Sequence, residues 1–245
     1  MDNAVTGITD EDYQGIQDVV DSVDAFSRMT YKSVYIIDYF KKNFLYVSEN
    51  PLFLCGLSAS EVKEIGYKFY IDNVPQEDLE RLLIINSSGF YFSKDIPAAE
   101  KRYYTLSYNF RVINTVSKKV QTINHQLTPL KMMPDGKIWL ALCVASIPTK
   151  QGDDTILMFN NRTHEGWNLD LESGIWRSVP YISLSEQETQ VLKYSAMGYT
   201  TQEIARLMFK SFDTVKGYRK SILEKFDTDS ITEAINYAMI YRLID

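Results

Sequence analysis

Residues 200–226 read TTQEIARLMFKSFDTVKGYRKSILEKF. The spacing predicts two short helices around a tight connection, with basic residues gathered on the second. At roughly 100° per residue, Val215, Tyr218, Ile222 and Phe226 share one side of that second helix. Lys216, Lys220, Asp213, Glu224 and Gly217 share the other, and Arg219 lies near the apolar edge. From Lys210 to Lys225 five bases (Lys210, Lys216, Arg219, Lys220 and Lys225) face only Asp213 and Glu224. The whole chain has a formal net charge of −6, so the basic face is local and the acidity belongs mostly to the preceding residues.

Outward from this stretch, caps place four helices. Ser185 with Glu188 and Thr200 with Glu203 make capping boxes, Ser211 caps the third helix, and Ser230 with Glu233 makes a further box. Gly198 stands where the first helix must end, a usual place for a left-handed residue. On the last helix, Ile231, Ala234, Ile235 and Ala238 form one apolar stripe, suited to packing on the other three. Tyr237, Ile240, Tyr241 and Ile244 form a second stripe at the same spacing. A domain this small needs one buried stripe there, so the second is expected at a homodimer interface, with packing on the chain's own amino-terminal domain as the alternative.

This end resembles the LuxR-type helix-turn-helix domain of bacterial transcription regulators. The pattern appears ungapped in LSEQETQVL, AMGYTTQEIARLM and TVKGYRKSILEKF, and covers Ile182 to about Ile244. Glu188, Leu192, Gly198, Ile204, Ala205, Thr214, Val215, Lys216, Ile222 and Lys225 occupy the family's typical positions. The resemblance implies that the third helix enters the DNA major groove while the second braces it across the phosphates. By position, Lys216, Gly217 and Lys220 become groove contacts, with Arg219 beside them, and Thr201, Gln202 and Ser211 become phosphate contacts. Lys210 stands where the family prefers an apolar residue, and Tyr218 where histidine is common. Gly217 gives up a side chain and weakens its helix by up to about 1 kcal/mol.

The preceding residues change period several times. Thr9 to Arg28 reads as one amphipathic helix carrying Ile16, Val19, Val20 and Val23, with a capping box at Thr9 and Asp12. SVYIID and FLYVS read as strands, and short helical pieces follow, punctuated by Pro51, Gly56, Gly66 and Pro75. YYTLSYNFRVIN, KKVQTINHQLTPLKM and GKIWLALCVASI read as three further strands, with PDG turning between the last two. In the first of these, Tyr104, Leu106, Tyr108, Phe110 and Val112 alternate with Thr105, Ser107, Asn109 and Arg111, which predicts one buried face. TILMFN, GWNLDL and IWRSV suggest additional short strands, and a linker near Pro180 precedes the helices.

Residues from about Thr30 to Pro148 resemble a PAS domain, through YVSENPLFLCGLSASEVKEIG and DNVPQEDLERL. Asn50, Gly56, Glu61, Gly66, Pro75 and Asp78 carry that resemblance. It implies an antiparallel sheet with helices over one face and a small interior suited to an apolar ligand, or a surface suited to a protein partner. Tyr104, Tyr108 and Phe110 are the candidate pocket residues, although plain core is the better expectation for them. The expected fold class is α+β: a PAS-like antiparallel sheet with helices, followed by an all-α four-helix domain. The expected boundaries are an amino-terminal helix at 1–29, the sheet domain at 30–150, a β-rich connector at 151–180 and the helical domain at 181–245.

Other classes find little support. The long helix of the sheet domain offers no histidine to a haem, and NPLFLCGLS lacks the flavin-photoreceptor cysteine pattern. His125 lies on a strand face with Ile123 and Leu127 and reads as a satisfied core or surface histidine. No haem, flavin, metal or other cofactor is therefore expected. Asp38 alone does not supply the acidic constellation of a phosphorylated receiver domain. There is no Gly-rich phosphate loop, histidine-based metal cluster or nucleophile motif, so catalysis is not expected. Cys55 and Cys143 sit among apolar residues and read as buried reduced thiols. The acidic start MDNAVTGITDEDYQ lacks the features of a signal peptide, and no apolar run approaches the roughly 18 residues of a membrane span. A cytoplasmic, dimeric regulator of double-stranded DNA is expected, with a PAS-based adaptor that binds protein rather than DNA as the runner-up.

Overall fold

A computed structural model describes residues 3–148, 152, 154–180, 182–240 and 243–244, apart from the side chain of Ile240. The chain divides into two compact units. One comprises Met1–Asn160 and Trp167–Ser178, the other Asn161–Gly166 and Val179–Asp245.

The first unit opens with α1 (Asp10–Gln14) and α2 (Gln17–Ser27). The expected capping box is present, with Thr9 and Asp12 bonding reciprocally. The single helix expected over this region is instead broken at Gly15 and Ile16. Glycine is a poor helix former, and Ile16 leaves the helical conformation to become buried in the core beneath. Strands β1 (Ser33–Asp38) and β2 (Asn43–Val47) follow, then α3 (Pro51–Leu54), α4 (Ala59–Ile65), α5 (Lys68–Asn73), α6 (Gln76–Ser93) and α7 (Ala98–Lys101). The long strands β3 (Tyr104–Ile113), β4 (Val120–Met132) and β5 (Ile138–Ser146) complete the domain. The short strands β6 (Leu157–Asn160), β7 (Gly166–Asp170) and β8 (Ile175–Val179) come last.

All eight strands form one sheet in the order β2-β1-β5-β4-β3-β6-β7-β8. The first five, with helices inserted between β2 and β3, have the PAS-like arrangement. β6 pairs antiparallel with β3, Leu106 opposite Met158, so these late strands extend the sheet rather than form a separate connector. That position makes β3 an interior strand. Both of its faces are buried, contrary to the one buried face predicted from its alternation. Its polar row is tied up locally, because Asn124 Nδ2 donates to Ser107 Oγ at 3.2 Å and to Asn109 Oδ1 at 2.9 Å.

One face of the sheet packs against α3–α6 through Tyr35, Phe44, Phe53, Phe69, Ile85 and Ile123, among others. A second cluster unites Val5, Ile16 and Val23 with Val34, Ile36, Trp139 and Leu140 from β1 and β5. Asn3 fastens the start of the chain to β5 by bonding both the carbonyl and the N–H of Ile138. Cys55 and Cys143 are free and buried.

The second unit contains α8 (Glu186–Ala196), α9 (Thr201–Leu207), α10 (Phe212–Phe226) and α11 (Ile231–Ile240). Its core is Val191, Leu192, Ile204, Ala205, Val215, Ile222, Phe226, Ala234, Ala238 and Ile244. The capping boxes at Ser185/Glu188 and Thr200/Glu203 are both formed, and Gly198 takes a φ of 89° after α8. Glu233 accepts from the hydroxyl of Thr228, ahead of the cap residue expected at Ser230. No helix among the described residues is long and apolar enough to cross a membrane.

Candidate nucleic-acid interface

The candidate surface is built on α10. Ser211 caps it by accepting from the Thr214 N–H at 3.1 Å, and Asp227 ends it in the left-handed conformation. Val215, Ile222 and Phe226 anchor one side in the core, which fixes the roll of the helix. Lys216, Gly217 and Lys220 consequently stand together on the exposed side. Lys220 reaches Glu224 at 3.5 Å, an exposed i,i+4 pair that adds little stability. Lys216 makes no ion pair among the described residues. A Cβ added at Gly217 would meet nothing within 4 Å, so packing within the domain does not require glycine there.

The other expected contacts divide. Gln202 and Ser211 are exposed and Thr201, at the start of α9, is half-buried. The Ser211 oxygen already serves as the cap and lies 2.8 Å from the Thr214 hydroxyl. Arg219 turns from the exposed face toward α8, where its guanidinium lies 3.5 Å from Ser195 Oγ.

Lys225, part of the basic run in the sequence, has a structural role. Its ammonium donates to Glu188 at 2.7 Å and to the Ser183 carbonyl at 2.9 Å. Glu188 also accepts from the Ser221 hydroxyl and the Ser185 N–H. It is only 4 % exposed. Although burial raises its pKa, the donors from Lys225, Ser221 and Ser185 outweigh that cost and hold it down to about 2. Both residues stand at positions typical of the family pattern, but their 37-residue separation hides the pairing from any local reading.

Residues 182–238 match the model of the family "Bacterial regulatory proteins, luxR family". The helical domain is of the LuxR type. The oxygen regulatory protein NreC of Staphylococcus carnosus is 35% identical over 119 residues, which is 47% of this chain and 52% of NreC. The chain thus spans about half the length of such curated relatives. A phage VqmA–DPO complex aligns over 93% of this chain and 89% of its own, at 16% identity and a TM-score of 0.32. A PAS domain from Colwellia psychrerythraea aligns over 56% and 98%, at 12% identity and a TM-score of 0.34. At such low scores the strand order itself remains the ground for the PAS-like assignment.

Two residues of the second stripe, Tyr237 and Ile244, pack within the LuxR-type domain rather than on a free apolar face. Ile244 is buried in the domain's own core, and the Tyr237 ring stacks on Phe226 with centroids 6.4 Å apart. Tyr241 and the side chain of Ile240 lie outside the described residues.

In the sheet domain the three pocket candidates also separate. Tyr108 and Phe110 are core residues packed around His125, at centroid distances of 4.9 and 5.8 Å. Tyr104 instead lines a cavity of about 40 Å³ beneath α6, together with Tyr39, Phe90, Leu106, Leu127 and Met158. Lys101 reaches this cavity from α7 while donating to the Gly136 carbonyl at 2.8 Å, and burial lowers its pKa. Sequence reading missed it, because a lone lysine on a short polar helix looks like solvated surface.

His125, expected as a satisfied core or surface histidine, is buried in the core and not satisfied. Neither ring nitrogen has a hydrogen-bond partner among the described residues, and the Tyr67 hydroxyl is similarly orphaned. Burial alone drives the imidazole pKa down to about 3, so the ring is neutral at physiological pH.

Proposed function

We propose that this chain is a DNA-binding transcription regulator whose sheet domain senses a small molecule or partner. α10 enters the major groove, where Lys216 and Lys220 reach base edges and Gly217 lets the helix backbone approach closely. Thr201 and Gln202 bond phosphates from the start of α9. The observation that carries this reading is the shared exposure of Lys216, Gly217 and Lys220 on a helix whose opposite side is locked in the core. Two copies would place paired helices on paired half-sites, with their contact elsewhere than Tyr237 and Ile244.

Sensing is supported by the cavity beneath α6 and by the orphaned polar atoms in the same domain. The buried ammonium of Lys101 favours a ligand that carries an acceptor oxygen. Native mass spectrometry of the purified chain would detect such a ligand.

Each single change, Lys216→Ala or Lys220→Ala, is expected to weaken DNA binding by about 1–3 kcal/mol if the contact reads a base. Affinity should also fall steeply as salt rises. Unchanged affinity in the folded double variant would place the interface elsewhere. The Lys220–Glu224 pair and the exposed Asp213 soften the positive face and favour one second reading, the protein-binding adaptor. A flat salt response would select it.

A further inference from the structure

Phe212 is the first residue of α10 and is 51 % exposed, outside the domain's hydrophobic core. Isolated apolar side chains on a surface are common and by themselves carry no meaning. This one lies in a specific setting. At roughly 100° per residue it sits about 40° from Lys216 around the helix axis, next to the basic face. Lys210, two residues upstream, is exposed as well. The local charge therefore suits a polyanion, and the first turn of a recognition helix is the part that faces base edges. A polar side chain there could bond a donor or acceptor, whereas phenyl has neither and, at the base edges of an intact duplex, is best matched by an apolar group. In the major groove the one apolar group is the C5-methyl of thymine.

We infer that Phe212 is a specificity-determining residue that reads a thymine methyl group. The inference rests on the DNA-binding reading above and adds what the lysines cannot supply. Lys216 and Lys220 select acceptors such as guanine O6 and N7, while Phe212 requires a thymine at a neighbouring position. Phe209 provides an internal control. It is 94 % exposed but sits in the turn before α10, with a φ of 53°, rather than on the helix.

The test begins by selecting duplexes from a random-sequence DNA library with the full chain. Each thymine of the selected site is then replaced singly by deoxyuridine, which lacks only the methyl. For the wild type, one such position per half-site should lower affinity about fourfold, the effect of burying one methyl group. Phe212→Ala should bind the thymine site more weakly and show no further loss with deoxyuridine at that position. Phe209→Ala and Lys216→Ala should retain the methyl response, the latter at lower overall affinity. If no deoxyuridine position weakens the wild type, or if Phe212→Ala keeps the same loss, Phe212 does not read a methyl. If the wild type selects no DNA, the DNA-binding reading fails and takes this inference with it. That outcome is distinct, because binding is then absent before any thymine is changed. A Phe212→Leu variant guards against local unfolding, since it keeps an apolar contact and should retain part of the response.

Discussion

Two buried titratable side chains, Glu188 in the helical domain and His125 in the sheet domain, have opposite surroundings. In the LuxR-type domain, Glu188 is surrounded by donors from Ser185, Ser221 and Lys225. In the sheet domain, His125 lies between aromatic rings, and neither of its nitrogens has a partner among the described residues. A satisfied buried charge locks neighbouring helices into one arrangement, whereas an unsatisfied buried base lowers stability whenever protons are available. The contrast matches the division of labour proposed here. A DNA-reading helix must be held in one orientation, and a sensing interior needs polar atoms left over for something else to bind.

The largest expected effect concerns His125. Its folded-state pKa, near 3, lies below the ordinary value of 6.5, so only the unfolded chain takes up a proton between these limits. Stability is therefore complete above pH 6.5 and falls as pH drops toward 3, by on the order of 4 kcal/mol at pH 3.5. The three tryptophans, Trp139, Trp167 and Trp176, all lie in the sheet unit, so urea titrations followed by their fluorescence report that domain. His125→Phe should flatten the dependence between pH 6.5 and 4.5. A wild type with no loss in that window would mean that the imidazole is partnered, and the contrast would break.

Glu188 should respond in a different window. Its carboxylate is held below the ordinary value of 4.5, so its contribution is present above pH 4.5 and is lost as pH falls toward 2. Glu188→Ala should cost about 3 kcal/mol, since it removes the carboxylate that Lys225, Ser221 and the Ser185 N–H share. Hydrogen exchange in peptides from α8 and α10 would measure this within the full chain. Exchange that is unchanged in the variant would show that the network does not fasten these helices.

Single hydroxyls sharpen the comparison further. Ser221→Ala removes a donor to a buried carboxylate and should cost about 1.5 kcal/mol in the helical domain. Tyr67→Phe removes a hydroxyl with no partner among the described residues, and should change the sheet domain by less than about 0.5 kcal/mol or stabilise it. A cost above about 1 kcal/mol for Tyr67→Phe, by urea titration, would reveal a bound partner in the interior.

A gain in stability is expected at Gly217. Alanine there meets open space and should stabilise α10 by up to about 1 kcal/mol. The added methyl lies on the face proposed for DNA, so affinity should fall while the melting temperature rises. A rise in both would remove close approach as the reason for glycine.

Much of this architecture follows from forces that act over three or four residues. The caps at Thr9, Ser185, Thr200 and Ser211 are side-chain bonds to N–H groups three positions on, so their spacing is written in the chain. The strand periods and the exposed side of α10 are equally local, because helix and strand geometry alone assign each residue to a face. What only the tertiary structure decided depends on partners far along the chain. The break at Gly15 and Ile16 follows from burial of Ile16 against the sheet. β3 is an interior strand because β6 returns to pair with it, and the second stripe of α11 is partly consumed by the domain's own core. The same holds for charge. Lys225 and Glu188 look like unrelated surface residues until folding brings them to 2.7 Å, and His125 looks like a residue that will find a partner until aromatic rings enclose it. Periodicity assigns a residue to a face, but long-range packing decides what that face meets.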